Sequence, residues 1–423
     1  MSTLPATIAP TLRRRLLLAL VALLPLHTVF VDAWVAWKPW LLLLIGLTAI
    51  QAWDGLRRRV WPWHRGLSIG VGLFLAGLAA SGPTPHMTRF TGLWFAAAAG
   101  GALLLSLHLE LTNRPGTTDA VLRIVFRSGA AMGATALIIS LVAVGAFGSS
   151  AAAALDELPG VARVVQAAYL DNGFLALTNW HTDPGYAAAW MNLWAVLAVV
   201  AWTRRLGSGR MWVDATVVGS LAYGVLMTLS RTGLLGLGVG MLLATWFAVR
   251  EGTATAQVVR FLSVAALASG VLLAVTLAVD RAGVAGDLGE AFSFRLGQGA
   301  SFGPSEGEAY PGADHRSVVW PIYWRFFLDD PLRGAGLGTG WAAGVQEPHN
   351  LALQLLGETG VVGLAGFVAL FRTVVRGGVG RLGVLALATT LSASITQTVL
   401  FEPTWWFAAA LASAHRTLSP SRE

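Results

Sequence analysis

Apolar residues run along this chain in long continuous stretches, neither alternating nor returning every third or fourth position. A helix surrounded by hydrocarbon needs no polar face, so a continuous run of roughly 20 apolar residues predicts a membrane-spanning helix. On that criterion about twelve spans are expected, near 16–36, 39–53, 66–81, 90–109, 121–147, 185–203, 211–229, 232–250, 259–279, 351–371, 380–400 and 403–416. A transmembrane barrel would alternate with period two, which these runs do not. The expected fold is therefore all-α, a polytopic membrane protein with about twelve transmembrane helices. The stretch "RRRLLLALVALLPLHTVF" at 13–30 has the basic flank of a signal peptide. No small-x-small cleavage site follows it and another apolar run begins at once, so it reads as the first membrane helix.

The polar intervals set the orientation. Arginine clusters occupy alternate loops: Arg13 to Arg15, Arg57 to Arg59 with Arg65, Arg114, Arg204 with Arg205 and Arg210, Arg250 with Arg260, Arg372 with Arg376 and Arg381, and Arg416 with Arg422. Basic residues beside a span tend to remain cytoplasmic, which puts both termini in the cytoplasm and the other loops on the periplasmic or external side. Five segments follow: N-terminal transmembrane helices over 1–147, a first periplasmic loop over 148–184, central transmembrane helices over 185–279, a large helical periplasmic loop over 280–350 between the ninth and tenth spans, and C-terminal transmembrane helices over 351–423. Long outer loops seldom serve only as connectors. Within the second, "DHRSVVWPIYWRFFL" at 314–328 predicts an interfacial helix, with Trp320, Tyr323, Trp324, Phe326 and Phe327 at headgroup level. No internal repeat is visible, whereas a transporter built from inverted repeats is expected to show one.

Composition agrees with the pattern: 55% of the residues are hydrophobic and only 12% charged, with a mean hydropathy of +0.64. The net charge of +7 lies in the short clusters that set topology, so nucleic acid is not an expected partner. Membrane lipids are. Cysteine is absent, which rules out disulfides, thiolate metal sites and a thiol nucleophile. No spacing of His with Asp or Glu resembles a metal motif, so neither metal nor cofactor is expected. The stretch "DDPLRGAGLGTGW" at 329–341 is glycine-rich but lacks a preceding strand and a G-K-[ST] ending. It reads as a flexible outside loop.

A few ionisable residues stand on the outer side, where positive charge is otherwise sparse. Arg231, in "TLSRTGLLGLGVG" at 228–240, lies between two spans with almost no loop. An arginine at that depth either meets an anion, for which its planar donor fork suits phosphate, or snorkels to the interface. Arg316, four residues before Trp320, is a second candidate for the same anion. Arg295, Arg325 and Arg163 are lesser candidates of that kind. In "EPHNLALQLLGETGVVGL" at 347–364, Pro348 suits the first turn of a helix, which places His349 and Asn350 in that turn. Unpaired N–H groups and the positive dipole end attract anions there and favour the uncharged ring. A neutral imidazole can accept a proton from a sugar hydroxyl; equally, His349 can serve only as a cap. The segment "HTDPGYAAAW" at 181–190 has similar grammar, but His181 is read as part of a plain helix start.

Three pieces in order, "SRTGLLGL" at 230–237, "HRSVVWPIYWRFFLDDPLRGAGLGTGW" at 315–341 and "EPHNLALQLLGETGVVGL" at 347–364, resemble the bacterial O-antigen ligase and O-antigen polymerase superfamily (Wzy_C), most closely the ligase. The shared pattern is an Arg at a helix end, R-x-x-x-W leading into P-L-x-G-x-G-x-G, then H-N-x-x-L and E-x-G-x-x-G-L. The resemblance covers residues 185 to 400, and the first five spans by topology alone. It implies a glycosyltransferase of the bacterial inner membrane that moves a glycan from undecaprenyl pyrophosphate to a sugar hydroxyl of lipid A-core on the periplasmic face. By resemblance Arg231 and Arg316 hold the pyrophosphate and His349 serves the acceptor hydroxyl, in a direct displacement without metal. Arg295, Arg325, Asn350 and Arg163 then contribute to substrate binding. An O-antigen or polysaccharide polymerase and a protein O-oligosaccharyltransferase share this constellation and differ in acceptor. Outside the family, an anion transporter also wants arginines in a cavity, but near the membrane midplane and in broken helices.

Overall fold

The computed structural model describes residues 8–26, 31–33, 35–82, 87–147, 167–169, 175–177, 179, 184–280, 315–342, 345, 348–376, 379–394 and 399–414. Among these the chain is overwhelmingly helical, as continuous apolar runs require when no water is present to satisfy the backbone. The helices are α1 (Ile8–Leu23), α2 (Pro39–Arg58), α3 (Arg65–Ala80), α4 (Met87–Asn113), α5 (Thr117–Ala143), α6 (Pro184–Thr203) and α7 (Met211–Met227). There follow α8 (Arg231–Arg250), α9 (Thr255–Val279), α10 (His315–Asp329), α11 (Thr339–Ala342), α12 (Leu351–Val375), α13 (Arg381–Ser394) and α14 (Pro403–Ala414). The described strands are two three-residue antiparallel pairs, β1 (Val31–Ala33) with β2 (Val35–Trp37) and β3 (Ala167–Tyr169) with β4 (Leu175–Leu177).

Seven of the described helices, α2, α4, α5, α6, α8, α9 and α12, are long and apolar enough to cross a membrane, and α3, α7 and α13 are shorter apolar helices. This is a multi-pass membrane protein. Several expected spans are shorter than the sequence pattern indicates. The first, expected over 16–36, ends as α1 at Leu23, because Pro25 has no N–H to continue the helix, and residues 31–37 form the β1 and β2 pair. The run expected over 380–400 breaks into α13 and a 3-10 turn at Val399–Phe401. The last expected span is the twelve-residue α14, buried from Pro403 to Ala412. Of the two expected outer loops, β3, β4, α10, α11 and a few flanking residues are described.

The chain divides into two compact units, one of residues 1–50 with 114–295 and the other of residues 51–113 with 296–423. In the first, α6 is the axis. Every residue from Ala187 to Ala201 is buried, as expected of a helix that is apolar on all sides. Trp190 and Trp194 meet edge to face at 4.7 Å, and the indole N–H of Trp194 donates to Ser128 Oγ on α5 at 2.7 Å. Small residues let the neighbours close in: a side chain at Gly133 of α5 would strike Ser220 of α7, one at Gly224 of α7 would strike Met191, and one at Gly233 of α8 would strike Ala188. Helix α9 packs on α7 through Gly219 and a 2.6 Å hydrogen bond between the Tyr223 and Thr276 hydroxyls. Its other face, with Val259, Leu267, Val271 and Val275 exposed, is dressed for lipid.

In the second unit α3 and α12 pack along interleaved glycines. Gly70 faces Leu370 and Thr373, Gly77 faces Val362 and Gly363, and Gly366 faces Leu73 and Phe74. Gly100 on α4 makes room for the indole of Trp406, whose Nε1 donates to Leu400 O at 2.8 Å. Helix α12 is not straight. At Gly360 the backbone takes φ 61° and ψ −163°, a region open essentially to glycine alone.

A side chain at Gly360 would also overlap the carbonyl of Leu332, whereas one at Gly72 of α3 meets open space. Gly360→Ala is therefore expected to cost about 1–3 kcal/mol in backbone strain alone, and Gly72→Ala to be neutral or to gain up to about 1 kcal/mol of helix propensity. Thermal melting in detergent checks this pair; equal shifts for the two variants contradict it.

Candidate functional site

Two helix starts carry candidate side chains, and their local chemistry is the same. At α8, Leu229 adopts a left-handed φ of 50°, Ser230 takes extended backbone, and its Oγ accepts the Gly233 N–H at 3.1 Å. Arg231 is then the first helical residue and is exposed. Asn192, fully buried on α6, donates from Nδ2 to Gly233 O at 2.8 Å and so fixes this turn against the unit's axis. At α12, His349 is left-handed at φ 48°, Asn350 is extended, and its Oδ1 accepts the Leu353 N–H at 2.9 Å.

This corrects the expected register of "EPHN". Pro348, His349 and Asn350 do not lie in the first turn; the helix begins at Leu351 with Asn350 as its cap. A side chain that captures the N–H three residues on must itself be extended, which pushes the proline and histidine upstream of the helix. His349 retains its place beside the helix start, half-buried, in a backbone conformation that histidine tolerates better than most residues.

Helix α10 matches the expected interfacial helix to within a residue at each end. Val319 and Tyr323 are buried on it, while Trp324 and Arg325 are exposed. The indole N–H of Trp320 donates to Pro348 O at 2.9 Å, which ties α10 to the turn that carries His349. Arg316 lies one helical turn before Trp320 on the same stripe of α10. Arg325 is five residues past Trp320, well around the helix from that stripe. Asn350 spends its side chain on the cap. Arg295 and Arg163, like His181, lie outside the described residues. Arg231 belongs to the other unit.

The glycine-rich stretch expected to be a flexible loop is instead built into α12. The break at Gly360 frees the carbonyls of Gly357 and Glu358 and the N–H groups of Val361 and Val362, and each needs a partner. Residues 331–336 supply all four. Ala335 N donates to Gly357 O and Gly336 N to Glu358 O, both at 2.9 Å, while Val361 N donates to Pro331 O at 2.9 Å and Val362 N to Leu332 O at 3.2 Å. Gly334, Gly336 and Gly338 all have positive φ, and a side chain at Gly334 would run into the backbone of Glu358 and Thr359. A flexible reading fails because the glycines serve close approach and left-handed turns rather than mobility.

Beneath this seam Glu358 is 1% exposed. Its Oε1 accepts the N–H of Gly340 at 3.3 Å and, at a long 3.5 Å, the hydroxyl of Tyr323; its Oε2 accepts Gln354 Nε2 at 3.2 Å. Gln354 and Glu358 received no role from the sequence, and Tyr323, expected at headgroup level with the other aromatics of α10, is instead fully buried, where its hydroxyl reaches Glu358. The available signal was the coincidence of E-T-G with glycines at 334, 336, 338 and 340. Among the described residues no group of three or more His, Asp or Glu stands close enough to hold a metal ion.

Residues 215–368 match the family described as O-antigen ligase, Wzy_C. The match opens in α7 and closes in α12, so it takes in Arg231, Arg316, His349 and Glu358. Among curated proteins none matches the chain. The family that the three motifs resemble is thus also the family whose model residues 215–368 are similar to.

Proposed function

We propose that this protein is an O-antigen ligase of the bacterial inner membrane, with both termini cytoplasmic and its active site periplasmic. It transfers a glycan from undecaprenyl pyrophosphate to a sugar hydroxyl of lipid A-core. The observation that carries the reading is the Trp320 to Pro348 hydrogen bond at 2.9 Å. It seats the helix bearing Arg316 against the turn bearing His349, both inside the segment matched by the family.

In the proposed step the acceptor oxygen bonds to the anomeric carbon as the bond from that carbon to the pyrophosphate oxygen breaks. The hydroxyl proton passes to the imidazole of His349. Undecaprenyl pyrophosphate leaves with the electron pair, and the guanidinium groups of Arg231 and Arg316 offset its added negative charge, the task a divalent cation performs elsewhere. Arg295, Arg325, Asn350 and Arg163 remain proposed contributors to substrate binding. An anion transporter would place its charges at a helix break. Among the described residues the break in α12 is filled by the chain's own residues 331–336, and Arg231 and Arg316 belong to α8 and α10, which favours the enzyme.

Reconstituted in liposomes with a lipid-linked glycan and lipid A-core, Arg231→Ala, Arg316→Ala and His349→Asn are each expected to lose on the order of 10²-fold or more in transfer rate. Asparagine at 349 keeps the tolerance for positive φ, so that variant should melt like the parent. Near-parental transfer by any of the three contradicts its assigned role. A chelator is expected to leave transfer unchanged; loss that Mg²⁺ restores contradicts the metal-free step. Offering the same donor with lipid A-core, a second lipid-linked glycan or an acceptor protein is expected to extend only lipid A-core, and extension of either other acceptor identifies a polymerase or a protein oligosaccharyltransferase.

A further inference from the structure

We infer that Glu358 is a positioning residue for the proposed transfer: its buried carboxyl group is the acceptor around which the glycine-rich segment closes, and this closure sets the helix that carries Arg316 against the turn that carries His349. The inference rests on the reading of those two residues above. Glycine-rich segments commonly gather backbone N–H groups around a phosphate. Here the N–H of Gly340 points at a carboxylate from the chain itself.

Three elements converge on that carboxylate. Tyr323 comes from α10, one turn after Trp320; Gly340 comes from α11; Gln354 comes from the first turn of α12, four residues after its Asn350 cap. The carboxylate thereby joins the helix that carries Arg316 to the helix start that carries His349. The fit leaves little slack: a side chain at Gly340 would overlap the Tyr323 hydroxyl, and one at Gly357 would come within 2.9 Å of the Tyr323 ring. Glu358 acts through the residues it holds. Without its side-chain oxygens the Gly340 N–H and the Tyr323 hydroxyl lose their shared acceptor, and the segment is held to α12 by the backbone bonds of 331–336 alone. Catalytic geometry tolerates little: a displacement of about 1 Å can cost on the order of 10²-fold in rate.

The test uses the 423-residue chain, which has no natural cysteine. Leu332 and Val362 are 66% and 39% exposed, and their backbones are hydrogen-bonded at 3.2 Å across the seam. A Leu332→Cys, Val362→Cys pair is treated with a short bifunctional thiol reagent, and joining is followed alone, with Glu358→Ala and with Glu358→Gln. Rapid joining is expected in the pair alone, joining several-fold slower with Glu358→Ala, and near-parental joining with Glu358→Gln, whose amide oxygen still accepts from Gly340 and Tyr323. In cysteine-free protein, Glu358→Ala is expected to lower kcat on the order of 10²-fold with KM for the lipid-linked donor little changed, and Glu358→Gln to restore most of it. Joining that Glu358→Ala leaves unchanged, or slowed joining with unchanged kcat, overturns the inference. If the parent transfers no glycan, the proposed function fails alone, and the joining rates still decide whether Glu358 holds the seam.

Discussion

A carboxylate inside a membrane-length helix has to find its donors within the protein. Glu358 finds them in a tyrosine, a glutamine and a glycine N–H from three elements, and the second unit is arranged around that requirement. The break at Gly360 exposes four backbone groups of α12 and the glycine-rich segment restores them, so a disrupted helix and an irregular loop become one satisfied structure. The same segment follows directly on α10, whose Trp320 reaches the turn at Pro348. Local backbone accounting therefore extends to the placement of the residues proposed to act on substrate.

The second recurring device is the helix start. Arg231 and His349 both follow a polar-cap grammar in which a left-handed residue precedes an extended Ser or Asn that takes the N–H three residues on. The left-handed residue is Leu229 in one case and His349 itself in the other. Strain of this sort costs about 1–3 kcal/mol and persists where surrounding contacts fix it. Asn192 and Trp320 provide those contacts, one at each start.

Much of the fold was legible in the sequence because its signals are local. Runs of apolar residues marked α5, α6, α7, α8, α9 and α12 to within a few residues, and the aromatic stripe marked α10. Prolines and caps set the errors. Pro25 ended the first run early, and Asn350 moved the start of α12 past His349. The docking of the glycine-rich segment was not legible, since its partners lie 18 to 30 residues away and leave no period in the chain. Glycine composition reads as looseness when the partner is unknown. Glu358 was marked only as the acid of the E-x-G-x-x-G-L pattern, and its role becomes legible only when its donors are identified.

The central claim is that two guanidinium groups and an imidazole act on one pyrophosphate-linked glycan. The most direct measurement is an experimental structure of the protein in lipid with a non-transferable undecaprenyl pyrophosphate glycan bound. The account requires the diphosphate within hydrogen-bond reach of Arg231 and Arg316, and the ring of His349 on the open side of the anomeric carbon. A diphosphate held by other residues, with His349 facing away from the sugar, contradicts it.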